Sequence, residues 1–519
     1  MSSRFALFAA LSALTVTIAA PARAAWIEAK SKHFIIYASE SQGELKQFAQ
    51  KLERFDRAVR LLRSMPDPDL TDAERLTIFV VPDQTAIEQL VGFQGVRGFY
   101  LTHNAASYAF VPQRSGVTMV QGDPGGTGTI RDTLTSEPVF FHEYAHHLQL
   151  QNSTVALPMW VTEGFAEFFA TANVRNDGAV EIGRNPSYRS EALVWGGLPV
   201  EKMLSGDPNL YGDVLYAKGW LLTHYLSMTP ARKGELNRYI DEIQKGQSPL
   251  DAAKTAFGDL KVLGRDLDQY GAQRSYLGFT IPASAIPVSP VSIRQLSPGE
   301  SAMMRVVIRS KRGVDDYSSR NVATDAVRIA SPFAADTHVQ ASLAEALYDD
   351  KQYAAANSAA DRALAADPRN VNALIYKGRA ELELAKANPK SANWDAIRHF
   401  FTEANKIDTE NAEPMALFYR TYLEAGQQPT ANAIDAMLYA AELAPQDQSI
   451  TMTATRLLLA LNRLSDARAM LAPVAYNPHA DRETREKSVK VIAAIAQGDA
   501  KDAMSLMDNW NAKSAGSGK

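Results

Sequence analysis

The last third of the chain repeats itself, and this restricts its fold more than any other feature of the sequence. From about residue 333 the composition turns rich in Ala and Leu. Similar short runs close successive units at Pro368, Thr409 and Pro445, and Pro478 marks a weaker fourth unit. The intervals between these positions are 41, 36 and 33 residues. Each interval has room for two helices and a turn.

A period of about 34 residues with two helices and a terminal Pro resembles tetratricopeptide repeats. The first interval is longer because of an insertion at 387–393. One helix pair cannot bury its apolar face alone, so the resemblance implies an all-α helical-repeat solenoid over 329–512. Such repeats would recruit a protein partner or a protein substrate. An irregular helical bundle is the alternative.

The first 24 residues have the pattern of a secretory signal peptide. Arg4 precedes an apolar run at 5–20, and an Ala-x-Ala cleavage site follows at 22–24. The apolar run is shorter than the ~20 residues of a membrane-spanning helix. This favours cleavage over a membrane anchor, which is the alternative. We therefore expect an exported protein, periplasmic or secreted, with no integral membrane segment after cleavage near Ala25.

Residues 25–275 are predicted to form an α+β domain. Short β-rich runs alternate with helical periodicity at 33–38 (strand), 44–63 (helix), 76–81 (strand), 86–91 (helix) and 107–111 (strand). This alternation predicts a mixed sheet with helices packed against it. The Gly-rich stretch at 112–135 predicts a long loop, as a functional lid or a disordered segment, and the pattern from 139 to about 270 is mainly helical.

Residues 276–328 are rich in Pro and are predicted to be a connector or a small β module. The two β-like runs in this segment are 291–294 and 303–308.

Composition restricts the chemistry that the chain can carry. Cys is absent, so disulfides and thiolate metal ligands are excluded, and a metal would have to be held by His and carboxylate groups. The net charge is -4, with no strong excess of either sign. We therefore expect no binding to nucleic acid.

The run H-E-Y-A-H at 142–146 carries the most chemistry. Four residues turn an α-helix by about 400°, so His142 and His146 project from one face, one turn apart. Two neutral imidazoles in that position can bind one zinc ion, and Glu143 lies where it can take a proton from the attacking water. Chance gives this motif in on the order of 1 in 100 chains of this composition.

The run W-V-T-E-G-F-A-E-F-F at 160–169 follows after a spacer of sixteen residues, 147–162. Together with H-E-x-x-H it resembles the metal helices of gluzincin zinc metallopeptidases, particularly the aminopeptidase-N-like family. The resemblance implies that Glu163 is the third zinc ligand, that Zn2+ is the cofactor and that the α+β domain is of the zincin type. Thr162 stands where that family has Asn, and the family's spacer is slightly longer.

Two more residues are candidates for the same site. Glu167 lies four residues after Glu163 on the same helix face, where it could accept the free ring N–H of a ligating His. An exposed carboxylate is the alternative. The run Y-A-K-G at 216–219 resembles Y-x-K-G of the same family, which implies that Tyr216 donates a hydrogen bond to the oxyanion. The alternative is a core tyrosine.

Aminopeptidases of this family bind the substrate's α-amine through a G-x-M-E-N run, and none precedes His142. The strand predicted at 107–111 would be the matching edge strand, and it has no acidic residue. We therefore expect an endopeptidase, or a peptidase with another specificity, in place of a strict aminopeptidase. An extended peptide could still pair with the edge strand through backbone hydrogen bonds.

The sequence thus predicts a zinc-dependent peptidase, a hydrolase of peptide bonds, joined to repeats that bind a protein. The alternative is a catalytically inactive peptidase-like scaffold that binds proteins through its repeats. The intact Glu143 argues against that alternative. A purely structural zinc site ranks last, because structural zinc usually has four protein ligands, often Cys.

Overall fold

The computed structural model describes residues 25–113, 136–152, 157–195, 198–207, 210, 212–273, 275–475 and 480–514. The predicted signal peptide at 1–24, nearly all of the predicted loop at 112–135 and the repeat mark at Pro478 lie outside these residues.

A six-stranded mixed sheet organises the N-terminal part. Its order is β4-β5-β3-β2-β1-β9, with β2, β3 and β5 parallel and the other pairs antiparallel. The strands are β1 (Ile27–Lys30), β2 (Phe34–Ala38), β3 (Leu76–Val81), β4 (Phe99–His103), β5 (Ala106–Pro112) and β9 (Ser292–Gln295). The strands predicted at 33–38, 76–81 and 107–111 are confirmed.

One expectation about this sheet is wrong. The strand predicted to lie at the edge, 107–111, is the interior strand β5, because β4 pairs along its outer side. The edge strand on this side of the sheet is therefore β4, whose residues are all half-buried.

Helices cover both faces of the sheet because apolar side chains alternate along its strands. Ile36 and Ile78 face the core of α1 (Gln42–Arg63). Phe79 and Phe110 face the opposite side, toward α2 (Gln84–Val91) and α11 (Pro298–Arg312). Helix α1 begins at a capping box between Ser41 and Glu44. Both predicted helices, 44–63 and 86–91, are confirmed by α1 and α2.

The mainly helical pattern after residue 139 is also confirmed, with a small three-stranded sheet added to it. The helices are α3 (Ser136–Asn152), α4 (Met159–Ala170), α5 (Ser190–Trp195), α6 (Val200–Leu204), α7 (Asp213–Met228), α8 (Glu235–Gln244), α9 (Pro249–Phe257) and α10 (Leu260–Gly271). The small sheet contains β6 (Asn173–Val174), β7 (Val180–Ile182) and β8 (Phe279–Ile281). Every residue of α4 is buried, since α3 and α7 pack on either side of it.

The Pro-rich segment at 276–328 contributes to both sheets. Strand β8 pairs with β7, and β9 pairs with β1. The β-like run predicted at 303–308 is wrong, because it lies inside α11. A capping box between Ser297 and Glu300 starts that helix. The run looked strand-like because α11 is apolar on two sides, facing the sheet and the next helices.

The C-terminal part of the described chain is a long series of helices, and each helix packs against the next one along the sequence. They are α12 (Ser318–Ala330), α13 (Thr337–Asp349), α14 (Tyr353–Ala366), α15 (Val371–Lys386), α16 (Trp394–Ile407), α17 (Ala412–Glu424), α18 (Ala431–Leu443), α19 (Gln448–Ala460), α20 (Leu464–Ala475), α21 (Arg482–Ala496) and α22 (Ala500–Ser514). The predicted unit ends near 368, 409 and 445 coincide with the ends of α14, α16 and α18. In each case a side chain just beyond, Asn370, Asn411 or Asp447, caps the next helix.

Across the described ranges, no helix combines the length and the apolar character that crossing a membrane requires.

Candidate metal centre

Helix α3 is held in place through the face opposite its histidines. The ring of Phe141 stacks on that of Phe55 at 3.8 Å between centroids. The hydroxyl of Tyr144 donates a hydrogen bond of 2.7 Å to the buried carboxylate of Asp56. Because both partners belong to α1, this contact fixes the rotation of α3 about its axis. His142 and His146 consequently point toward α4.

Three side chains converge between α3 and α4, as predicted. The Nε2 atoms of His142 and His146 lie 3.1 Å apart, and the Oε2 atom of Glu163 lies 3.3 Å from each of them. Glu163 and His146 are buried, each with 1% exposure. Ligand atoms at ~2.0–2.1 Å from a tetrahedral zinc ion are ~3.3 Å from one another. The three residues therefore fit one zinc ion without rearrangement.

Glu163 Oε2 provides a further test of this fit. The atom is fully buried, and among the described residues it accepts no well-formed hydrogen bond, although the two histidine nitrogens lie 3.3 Å away. A buried carboxylate oxygen in this setting is costly unless a cation occupies the space in front of it.

The charges of the cluster also favour a cation. Burial by itself lowers the pKa of His142, but contacts with the carboxylates of Glu163 and Glu167 raise it to about 10. Burial by itself raises the pKa of Glu163, but attraction to His146 and His142 holds that pKa well below its usual range. A protonated His142 thus puts positive charge beside the carboxylates, where a metal ion would put it.

Glu167 lies behind His142 and is buried, so the exposed alternative is excluded. Its Oε1 atom is 3.4 Å from Nδ1 of His142, on the side of the ring away from Glu163. The same carboxylate accepts hydrogen bonds from Arg189 at 2.8 Å and from the Tyr188 hydroxyl at 3.0 Å. Sequence reasoning missed Tyr188 and Arg189, because nothing local relates them to a residue more than twenty positions earlier.

Tyr216 lies on α7 with its ring edge-on to His142, at 6.1 Å between centroids. The guanidinium carbon of Arg189 lies over the Tyr216 ring, 4.9 Å from its centroid. Arg189 therefore contacts both Glu167 and Tyr216, and connects the carboxylate behind the cluster with the tyrosine beside it.

Strand β4 packs against α3, the helix that carries the half-buried Glu143. Burial, together with the negative charge of Glu143, raises the pKa of Tyr100 to about 12. The Tyr100 hydroxyl is 3.1 Å from Nδ1 of His147, so this histidine faces the sheet and lies outside the metal cluster. Burial lowers the pKa of His147 to about 3 and keeps the ring neutral.

A second group with metal-ligand composition, formed by His33, Asp56 and Asp67, does not fit a metal. Its carboxylates already have cationic partners, since Asp67 pairs with Arg57 and Asp56 pairs with Arg60. Both ring nitrogens of His33 also contact carboxylates, at 2.8 Å and 3.0 Å. This group is a satisfied ion-pair network that supports α1.

Comparison with known proteins gives no family for this chain: no protein-family model matches it, and neither does any curated protein.

Proposed function

We propose that the chain is a zinc-dependent peptidase of the gluzincin type, with a zincin-type fold in its α+β part and a tetratricopeptide-like solenoid after it. The observation that carries this proposal is the triangle of His142 Nε2, His146 Nε2 and Glu163 Oε2, whose sides of 3.1–3.3 Å match three corners of a zinc tetrahedron. Three ligands leave a fourth position for water or substrate, as in catalytic zinc sites.

Each residue of the site has a part in hydrolysis under this proposal. Zinc held there would supply a Lewis acid that makes water nucleophilic near neutral pH. Glu143 takes a proton from the attacking water and passes it to the leaving amine as the C–N bond breaks. Tyr216 donates a hydrogen bond to the carbonyl oxygen as that atom becomes negative. Glu167 orients His142 from behind.

The substrate would be an extended peptide that pairs with the edge strand β4. The half-buried β4 packs against α3, the helix that carries Glu143, and this supports a paired peptide close to the cluster. The strand reads F-Y-L-T-H and carries no carboxylate to bind an α-amine, which supports an endopeptidase. Because residues 1–24 have the pattern of a secretory signal peptide, the enzyme would act after export, in a periplasm or outside the cell.

Substitution of Glu143 tests this proposal. Glu143→Gln keeps the size of the side chain but cannot accept the proton, so we expect hydrolysis of a quenched fluorescent protein substrate to fall by about 10²–10⁴ with zinc content unchanged. Glu137→Gln, on the first turn of the same helix, is the matched control and should keep its activity. Zinc binding without cleavage of any peptide by the wild type would favour the protein-binding scaffold instead.

A further inference from the structure

The turn between β4 and β5 contacts the series of C-terminal helices. Asn104 and Ala105 form a two-residue hairpin turn, and both have positive φ, 50° and 65°. Ala is unfavourable in this conformation, so the turn needs stabilisation from outside the hairpin. The side chain of Ala105 is 9% exposed and belongs to an apolar cluster of α17, α18 and α19.

Hydrogen bonds from α15 and from the start of α19 hold this turn. The Ala105 N–H donates to Asp447 Oδ2 at 3.0 Å, and Gln446 Nε2 donates to the Ala105 carbonyl at 3.3 Å. Arg379 donates to the Asn104 side-chain oxygen at 3.0 Å. These bonds pair both backbone groups of Ala105 with side chains, as a bound peptide's would be.

The contact continues from the turn to the metal helix. Gln446 Nε2 also lies 3.3 Å from the Ser107 hydroxyl, which lies 2.8 Å from the Tyr100 hydroxyl. Tyr100 in turn contacts His147, the residue next to His146. A chain of hydrogen bonds therefore runs from the helical region through both strands of the hairpin to α3.

We propose that the helical region binds the β4–β5 hairpin as an internal ligand, and that Gln446 and Asp447 are positioning residues for the strand beside the metal cluster. This part of the helical surface is consequently occupied by the chain itself. The effect on the hairpin stands on these contacts alone, whereas the effect on peptide cleavage rests on the proposed peptidase function.

Two variants of the full chain separate the hairpin contact from general stability. Gln446→Ala removes both bonds of that side chain. In Asp447→Asn the side chain still caps α19, as Asp447 Oδ1 does through Ser449 and Ile450. Its single amide oxygen cannot also accept from Ala105. Gln448→Ala is the control, since Gln448 is exposed and has no contact with the hairpin among the bonds of the described residues.

Hydrogen exchange of the backbone amides is the first measurement. We expect about fivefold faster exchange over 99–107 in Gln446→Ala and Asp447→Asn, the factor that one ordinary hydrogen bond contributes. Exchange in β3 and α3 should stay the same, and Gln448→Ala should match the wild type. Unchanged exchange over 99–107 in both variants would overturn the proposal.

Peptide cleavage is the second measurement. A mobile edge strand should raise KM severalfold and leave zinc content and kcat close to the wild type. The combination Gln446→Ala with Tyr100→Phe should raise KM less than the product of the single effects, because both changes break the same chain of bonds. If the wild type cleaves nothing, the peptidase proposal fails, and the exchange result still decides whether the helical region positions the hairpin. Faster exchange with unchanged KM would overturn the link to the site.

Discussion

Gly164 of α4 and Gly219 of α7 meet where their helices cross, and a Cβ atom on Gly164 would lie 2.5 Å from the carbonyl oxygen of Gly219. The two glycines come from the two separate runs that resemble gluzincins. Glu163 precedes the first glycine, and Tyr216 lies one turn before the second. The close crossing of α4 and α7 therefore sets the distance between the third metal ligand and the tyrosine.

Gly164→Ala should weaken this crossing. The added methyl group would meet the Gly219 carbonyl and the Thr223 hydroxyl, at 2.5 Å and 2.6 Å, in a helix that is buried throughout. We expect the free energy of unfolding to fall by about 1–3 kcal/mol, measured by urea denaturation. Gly43→Ala is the control, since nothing lies within 4 Å of its added Cβ, and helix propensity should make it neutral or more stable. Equal stability of Gly164→Ala and wild type would contradict the close crossing.

Zinc should bind at the cluster of His142, His146 and Glu163 in preference to the group of His33, Asp56 and Asp67. Elemental analysis should give about one zinc per wild-type chain. Glu163→Ala removes one of three ligands and should lose the metal during dialysis, whereas Asp67→Ala should retain it. Absence of zinc from the wild type, even after reconstitution, would end the metallopeptidase interpretation.

Glu167→Gln should weaken zinc binding without removing a ligand. The amide still fills the space behind His142, but it lacks the negative charge that makes the imidazole a stronger ligand. We expect the zinc dissociation constant, measured by competition with a chelator, to rise by about 10–100-fold. Glu137→Gln removes a carboxylate that is paired with Lys51 at the surface, and its zinc affinity should match the wild type. If both variants bind zinc with the same affinity, Glu167 has a structural role and does not strengthen zinc binding.

Tyr216→Phe should slow cleavage and spare the metal. The ring lies beside His142 and packs under Arg189, and Phe keeps those contacts while losing the hydroxyl. Loss of one oxyanion donor costs about 10²–10³ in kcat, so we expect a decrease of that size with zinc content unchanged. A Phe variant as active as the wild type would leave Tyr216 as a core tyrosine.

The sequence predicted those parts of the site that depend on local geometry. His142 and His146 are one helical turn apart, so their convergence follows from the helix alone. Glu163 is on another helix, and only the family resemblance predicts that it is the third ligand. Tyr188 and Arg189 lie in a short 3-10 helix (Ser187–Arg189) and contact Glu167 through tertiary packing, which has no local sequence pattern.

The two wrong predictions about the fold have physical causes as well. Strand β4 is half-buried along its whole length, so it lacks the alternation that reveals a strand with one face in the core. The run 303–308 is buried on two sides of α11, which hides the helical period. Unit ends in the helical region were predictable, since helix-terminating residues recur there at fixed places.

Asp349, at the end of α13, gives a prediction about pH. Burial and the nearby carboxylate of Glu345 raise the pKa of Asp349 to about 7. Its Oδ2 atom is buried and has no hydrogen-bond partner in the described ranges. In the unfolded chain the pKa of Asp is ~3.9. Between those two values the folded protein keeps a proton that the unfolded chain has lost, so the free energy of unfolding falls as pH rises from about 4 to 7.

Asp349→Asn should remove this pH dependence, because an amide stays neutral at every pH. We expect the variant to gain about 1–3 kcal/mol over the wild type at pH 8, a value reduced from the full pKa shift because Asp349 is only half-buried, and little at pH 4. Urea denaturation at both values, followed by helical circular dichroism, measures the difference. Asp316→Asn is the control at an exposed aspartate paired with Lys351, and it should give no such gain at pH 8. If Asp349→Asn and the wild type lose stability in parallel between pH 4 and 8, Asp349 is ionised in the folded protein and the buried charge has a partner after all.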